Sequence, residues 1–246
     1  MATLYRTKHT GAQQNIKKLR KSRNLLIVFI LICLYFSLAI EETILSLSGI
    51  IAGIFVVILL FRNHEISKAK ELDELEKRVL GTFADLPDTF HVFQGVPVMF
   101  ENRGYTVDYL VISPNSCFTI FENHEVGDFV GDTDADIWDM TTVHKGKTIQ
   151  KEVYFPVSIL RQQTWHTSQM LKADGMIDMW VQGIVYFSNK DATAEGTGKN
   201  TVVIDDLGEL YKFLMKFSPR MKPGPDKYKE AVSFIKKRSK AKIFNQ

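Results

Sequence analysis

Two apolar runs separated by a pair of acids constrain this chain more than any other feature. Leu25–Ile40 (LLIVFILICLYFSLAI) holds 16 residues without a charge, and Thr43–Phe61 (TILSLSGIIAGIFVVILLF) holds 19. A membrane-spanning helix needs roughly 20 mostly apolar residues, within a usual range of about 17–25. The second run meets that length alone. The first meets it when Arg23, Asn24 and Glu41 lie at the interfaces, where charged ends can snorkel. A cleaved signal peptide would place one shorter apolar core near the start, with no second run directly behind it. The pattern predicts an all-α transmembrane hairpin over 25–61. Lys17, Lys18, Arg20, Lys21 and Arg23 precede it, Arg62, Lys68 and Lys70 follow it, and the turn carries only Glu41 and Glu42. The positive-inside rule then predicts a two-pass protein of the inner (cytoplasmic) membrane, with both termini cytoplasmic and the lipid bilayer as its first partner.

Charge divides the chain in the same way. Residues 1–24 carry seven basic residues and no acid, 62–219 carry 15 basic and 24 acidic residues (−9), and 220–246 carry nine basic and two acidic. The net +3 is therefore a cancellation, and it excludes a simple basic nucleic-acid binder. Lys236–Lys242 (KKRSKAK) suits anionic lipid as well as phosphate. A chain that is 45% hydrophobic, with two cysteines (Cys33 and Cys117), is neither disordered nor held by a disulfide framework.

Downstream of the apolar runs the periodicity changes. Ile66, Leu72, Leu75, Val79, Leu80 and Phe83 recur at helical spacing, and Leu86-Pro87-Asp88 ends that helix. Strands are predicted at His91–Phe100, interrupted by Gly95 and Pro97, and at Tyr105–Ile112 and Cys117–Asn123, with short ones at Phe129-Val130 and Ile137–Met140. Phe155–Lys172 reads as a helix, Trp180–Phe187 as a buried strand, Thr201–Ile204 as a short strand and Asp206–Phe217 as a helix. The expected organisation is a basic cytosolic arm (1–24), the hairpin (25–61), a connecting helix (62–86), a mixed α/β domain (87–219) and a basic tail (220–246).

The span from Glu76 to Phe187 resembles the nuclease-related domain NERD, a branch of the PD-(D/E)xK nuclease-like fold. The motifs that carry the resemblance are Glu76 in LEKRVL, Asp108 in YTVDYLVISPNSCFTIFEN, Gly127, Trp138 and the Gln162-bearing helix RQQTWH. The resemblance implies a restriction-endonuclease-like mixed sheet flanked by helices, and a nuclease-related function. Ungapped alignment from Asp108 puts Phe121 at the family's Glu and Asn123 at its Lys. In such a site two carboxylates hold a divalent cation while the lysine, two residues on and on the same strand face, polarises the attacking water. Phe121 cannot ligate a cation, and the amide of Asn123 is not a base. The remnant-site candidates are thus Glu76, Asp108, Phe121, Glu122, Asn123 and Gln162. A one-residue slip in the strand would instead offer Glu122 and His124, giving Asp108 and Glu122 as metal ligands.

Asp108 lies in an apolar strand, where a buried carboxylate needs a partner; Arg161 is one candidate. Gln162 and His166 share a helix face, with the alternative that Trp165 packs while His166 and the glutamines are solvated. Asp132, Asp134, Asp136 and Asp139 lack the glycine and terminal glutamate of an EF-hand loop and read as a solvated acidic loop. The resulting expectation is a membrane-anchored, catalytically inactive NERD-like domain that binds a protein or a nucleic acid, with no cofactor. The alternatives are an active metal-dependent nuclease using Asp108 and Glu122 with Mg or Mn, and a membrane scaffold that oligomerises through Gly49 and Gly53 of the hairpin.

Overall fold

The computed structural model describes residues 1–7, 12–39, 42–100, 103–144, 146–154, 157–197, 201–219, 222–240 and 242–243. The chain forms two compact units, one of residues 11–77 and one of residues 1–10 with 78–246.

The first unit is built from helix α1 (Ala12–Ala39) and most of helix α2 (Glu42–Ala84). The rings of Phe29 and Phe55 meet with centroids 4.9 Å apart, so the two helices pack side by side. Ile16 and Ile66 are buried, while Leu25, Val28, Leu31, Tyr35, Leu60 and Phe61 face outward. The helices extend well beyond the apolar runs: α1 begins with the basic stretch Lys17–Arg23, and α2 continues through the charged residues after Arg62. Among the described residues, no helix is long and apolar enough to cross a membrane. This corrects the transmembrane hairpin expected over 25–61 and, with it, the two-pass inner-membrane location with both termini cytoplasmic. The turn at Ile40 and Glu41, and the side chains of residues 36–52, including Gly49, lie outside the described residues.

The second unit is the mixed α/β fold. A seven-stranded sheet contains β1 (Thr3–Arg6), β2 (His91–Phe100), β3 (Arg103–Ile112), β4 (Cys117–Asn123), β8 (Val181–Phe187), β10 (Val202–Ile204) and β11 (Lys242–Ile243), in the order β10-β8-β4-β3-β2-β1-β11. β2, β3 and β4 form an antiparallel meander, and β8 joins β4 in parallel after the crossover helix α3 (Val157–Ala173). A four-stranded sheet of β5 (Gly127–Asp132), β6 (Ile137–His144), β7 (Lys147–Tyr154) and β9 (Ala192–Thr197) lies in the order β7-β6-β5-β9.

The large sheet is covered on both faces, which explains its near-continuous apolar strands. On one side Phe118, Ile120, Tyr109 and Ile184 pack on the end of α2 (Val79, Leu80, Phe83) and on helix α4 (Leu207–Lys216) through Leu210 and Leu214. On the other, Phe93, Val107, Leu110 and Ile112 meet Met170 and Leu171 of α3, and Ala231 and Ile235 of helix α5 (Pro225–Ser239). The basic segment after 220 is therefore part of the core layer, and the first residues of the basic arm form β1, parallel to β2. Asp206 caps α4 by accepting from the Glu209 N–H at 2.9 Å.

Cys117 is fully buried in this sheet, and burial pushes its thiol well above the ordinary value. Since the thiolate is the reactive form, iodoacetamide is expected to label Cys117 in denaturant and to leave it unmodified in the folded protein, as read by peptide mapping.

Candidate functional site

The site arises from an irregularity that β2 and β3 share. Residues three apart on a regular strand point to opposite faces. Yet Phe93 and Val96 enter the same core cluster, as do Val107 and Leu110. The register is unchanged across the irregularity, with Gln94 opposite Tyr109 and Val96 opposite Val107. Both strands therefore turn over together, at Gly95 and Asp108. Gly95 adopts φ +66°, a left-handed conformation open to glycine.

The switch aims the Asp108 side chain sideways. The β3–β4 ladder ends at the pair Tyr109 and Ile120, and beyond it Asp108 Oδ2 accepts the Glu122 N–H at 3.0 Å. A side chain thus replaces a main-chain acceptor where the strands part. Burial lifts the Asp108 carboxyl from its ordinary 3.8 to about 6. The Glu122 N–H opposes this, the Glu122 charge adds to it, and His124 opposes it.

β4 alternates regularly. Phe118, Ile120 and Glu122 face α2 and α4, whereas Thr119 and Phe121 face α3. No slip or bulge in β4 is required to bring Glu122 to Asp108, because the irregularity lies in β3. Glu122 is buried, its Oε2 accepts the Tyr109 hydroxyl at 2.8 Å, and it lies beside Tyr186 of β8. Burial, and then the Glu122 charge, raise the Tyr186 hydroxyl above its usual value. His124 Nδ1 lies 2.8 Å from Ser188 Oγ and 3.6 Å from Glu122 Oε1. Serine and glutamate approach the same ring nitrogen, so the three do not form a serine–histidine–acid relay, which needs one partner on each nitrogen. Arg78 donates to the Ser188 carbonyl at 3.2 Å, bringing a cation to this end of the sheet.

Phe121 packs with Phe129, Trp138 and Leu160 on the α3 side. Asn123 Oδ1 accepts the Glu125 N–H at 2.8 Å and closes the turn after β4. Beside them opens a cavity of about 490 Å³, lined by Phe121 to Glu125 with Tyr154, Ser158 and Ile159. Glu76 belongs to the helical unit of residues 11–77. Gln162 accepts the Tyr105 hydroxyl and ties α3 to β3 at a distance from the Asp108–Glu122 pair along the strand. His166 and Gln163 are buried, which departs from the expected alternative, whereas Gln162 is exposed as that alternative has it and the half-exposed Trp165 meets the Phe100 ring at 5.5 Å between centroids. Arg161 pairs with Asp136 at 2.8 Å, leaving Asp108 to Glu122; Asp132 accepts the Asp134 N–H and shapes the acidic loop. Tyr109, Ser188 and Arg78 escaped the sequence reading, since nothing in their spacing marks them.

A divalent cation would call on Asp108 and Glu122. One oxygen of each is already engaged, by the Glu122 N–H and the Tyr109 hydroxyl, and His124 Nδ1 is held by Ser188. Among the described residues, no group of three or more His, Cys, Asp or Glu side chains is arranged to hold a metal ion. A Mg or Mn ion at this place would rely on Asp108 and Glu122, with water for most of its other ligands.

The acidic pair thus lies where two central strands part, within a mixed sheet crossed by α3. Residues 72–188 match the model of the family described as NERD: Nuclease-related domain. That stretch begins in the last turns of α2 and ends just past β8, so it contains the whole Asp108–Glu122 arrangement. No curated protein matches the chain.

Proposed function

We propose that this nuclease-related domain has exchanged hydrolysis for binding, and serves as an interaction module for a protein or a nucleic acid. The observation that carries this reading is the fate of the two chemistry-bearing positions. Phe121 is an apolar wedge under α3, and Asn123 closes a turn. Neither supplies a carboxylate or an ammonium to the pair left on the other face. Asp108 and Glu122 there accept the Glu122 N–H and the Tyr109 hydroxyl, contacts made within the protein.

A second reading, an active nuclease using Asp108 and Glu122, is favoured by one observation: the two acids do adjoin, with His124 3.6 Å from Glu122. The two readings part on one assay. Single- and double-stranded DNA and RNA are incubated with the chain and Mg or Mn. The binding-module reading expects no products beyond those of the Asp108→Ala and Glu122→Ala variants. Cleavage that both substitutions abolish overturns it.

A further inference from the structure

The β1–β11 edge of the large sheet gathers positive charge. Lys236–Lys242 holds five basic residues and no acid. Ala231, Ile235 and Ser239 moor α5 in the core, so Lys236, Lys237 and Lys240 are exposed at its end. Lys240 turns the chain with φ +50°, and β11 then runs antiparallel to β1 with Lys242 directly opposite Arg6. Arg6 Nε donates to Gln94 Oε1 at 2.6 Å, which fixes the guanidinium at this edge. Lys236 Nζ stands 5.6 Å from the centre of the ring of Tyr5, the neighbour of Arg6 on β1. Burial, and then the Lys236 charge, hold the His91 ring below its ordinary value. The acids of α5, Asp226 and Glu230, lie toward its start, and Glu230 pairs with Lys227 at 2.8 Å. Asp174 and Glu230 share a groove with Lys237 and Arg238. Among the described residues, Lys236, Lys240 and Lys242 take part in no ion pair.

Cations in a last helical turn complement the helix dipole, which accounts for Lys236, Lys237 and Arg238. The dipole does not account for Lys242 opposite Arg6, because like charges directly across a strand pair repel. Nor does it account for a lysine at the left-handed end of the helix, where glycine is the usual residue. An anion bridging these side chains would offset both costs.

We propose that this edge binds the phosphate backbone of a nucleic acid through Arg6, Lys236, Lys240 and Lys242, without reading its bases. The inference rests on the reading of the domain as a binding module and names the partner of that module. Charge complementarity carries it, from the cations of the patch itself. Lysine is depleted from protein–protein interfaces, whereas surfaces that hold DNA are much more positively charged. Among the described residues of β1, the last turn of α5 and β11, Ile243 is the only large apolar side chain left exposed. The patch therefore has little to insert into a bilayer, which favours a nucleic acid over a lipid surface.

Fluorescence anisotropy of a labelled DNA duplex, titrated with the full chain in EDTA, tests the proposal directly. Binding is expected to weaken roughly a hundredfold between about 50 and 200 mM salt, the dependence of about four neutralised phosphates. Lys240→Gly keeps the left-handed turn, so it is expected to unfold in urea no earlier than the parent chain. It should lower the slope of binding against salt by about one, and Lys236→Gln, Lys240→Gly and Lys242→Gln together by about three. Lys212→Gln, an exposed change on α4 across the sheet, is expected to bind like the parent chain. An unchanged slope in the triple variant, or an equal loss in Lys212→Gln, would overturn the proposal. So would binding of phosphatidylserine vesicles or polyglutamate in place of the duplex. None of these readouts involves cleavage, so a failed patch and a failed binding-module reading are told apart.

Discussion

Replacing Asp108 with asparagine is expected to stabilise the protein at neutral pH by roughly 2–3 kcal/mol, at about 1.4 kcal/mol for each tenfold change in proton affinity. The unfolded carboxyl titrates near 3.8, whereas in the folded chain burial holds its proton to about 6. Between these values the folded state binds more protons than the unfolded state. Stability from this group is therefore present at low pH, falls as pH rises through the window, and is fully lost above about pH 6. Asparagine keeps an oxygen for the Glu122 N–H without burying a charge. Urea unfolding between pH 4 and 8 reads the effect. The parent should lose stability relative to Asp108→Asn as pH rises from 4 to about 6, and the gap should then stay constant. Asp108→Ala should not gain in the same way, because it leaves the Glu122 N–H without its acceptor. Parallel pH profiles for the parent and Asp108→Asn would show that the carboxyl is not buried as described.

The second large effect belongs to Trp138. Its indole is 1% exposed and lies between Gly131 of β5 and Gly196 of β9, where an added Cβ would stand 2.6 Å from ring atoms at either position. Its Nε1 donates to the Asp132 carbonyl at 2.7 Å. Trp138→Ala is expected to remove about 3–5 kcal/mol, as large aromatic truncations in packed cores do. Gly131→Ala and Gly196→Ala are expected to lose about 1–3 kcal/mol through overpacking against the ring. The diagnostic result is non-additivity: Gly131→Ala should be much less damaging in a Trp138→Leu background. Additive losses in urea unfolding would mean that the ring and the glycine do not share the space.

Legibility from sequence followed periodicity. β3, β4, β8 and α3 are apolar enough, at period two or 3.6, to be read within a few residues, and Asp108 stood out as a carboxylate in such a strand. β7 did not, because nearly every side chain of KTIQKEVY is exposed and an edge strand of that kind carries no apolar rhythm. β1 hid within the basic arm. The apolar runs have the length and basic flanks of membrane spans, while the helices that contain them continue into long charged segments. The site's central feature was partly legible. Gly95 marked an interruption in β2, but only the pairing of β2 with β3 transmits that turn to Asp108. The need for a slip in β4 came from assuming a continuous pleat in β3. The alternation that put Phe121 and Asn123 away from Asp108 then left Glu122 beside it.

The claim at the centre of this account is that the Asp108–Glu122 pair does not cut. The most direct measurement is single-turnover incubation, with the chain in excess over end-labelled single- and double-stranded DNA and RNA, in Mg and in Mn, alongside Asp108→Ala and Glu122→Ala. The account predicts no product above the level of the two variants in any combination. Product that appears with the parent chain and vanishes in both variants would contradict it.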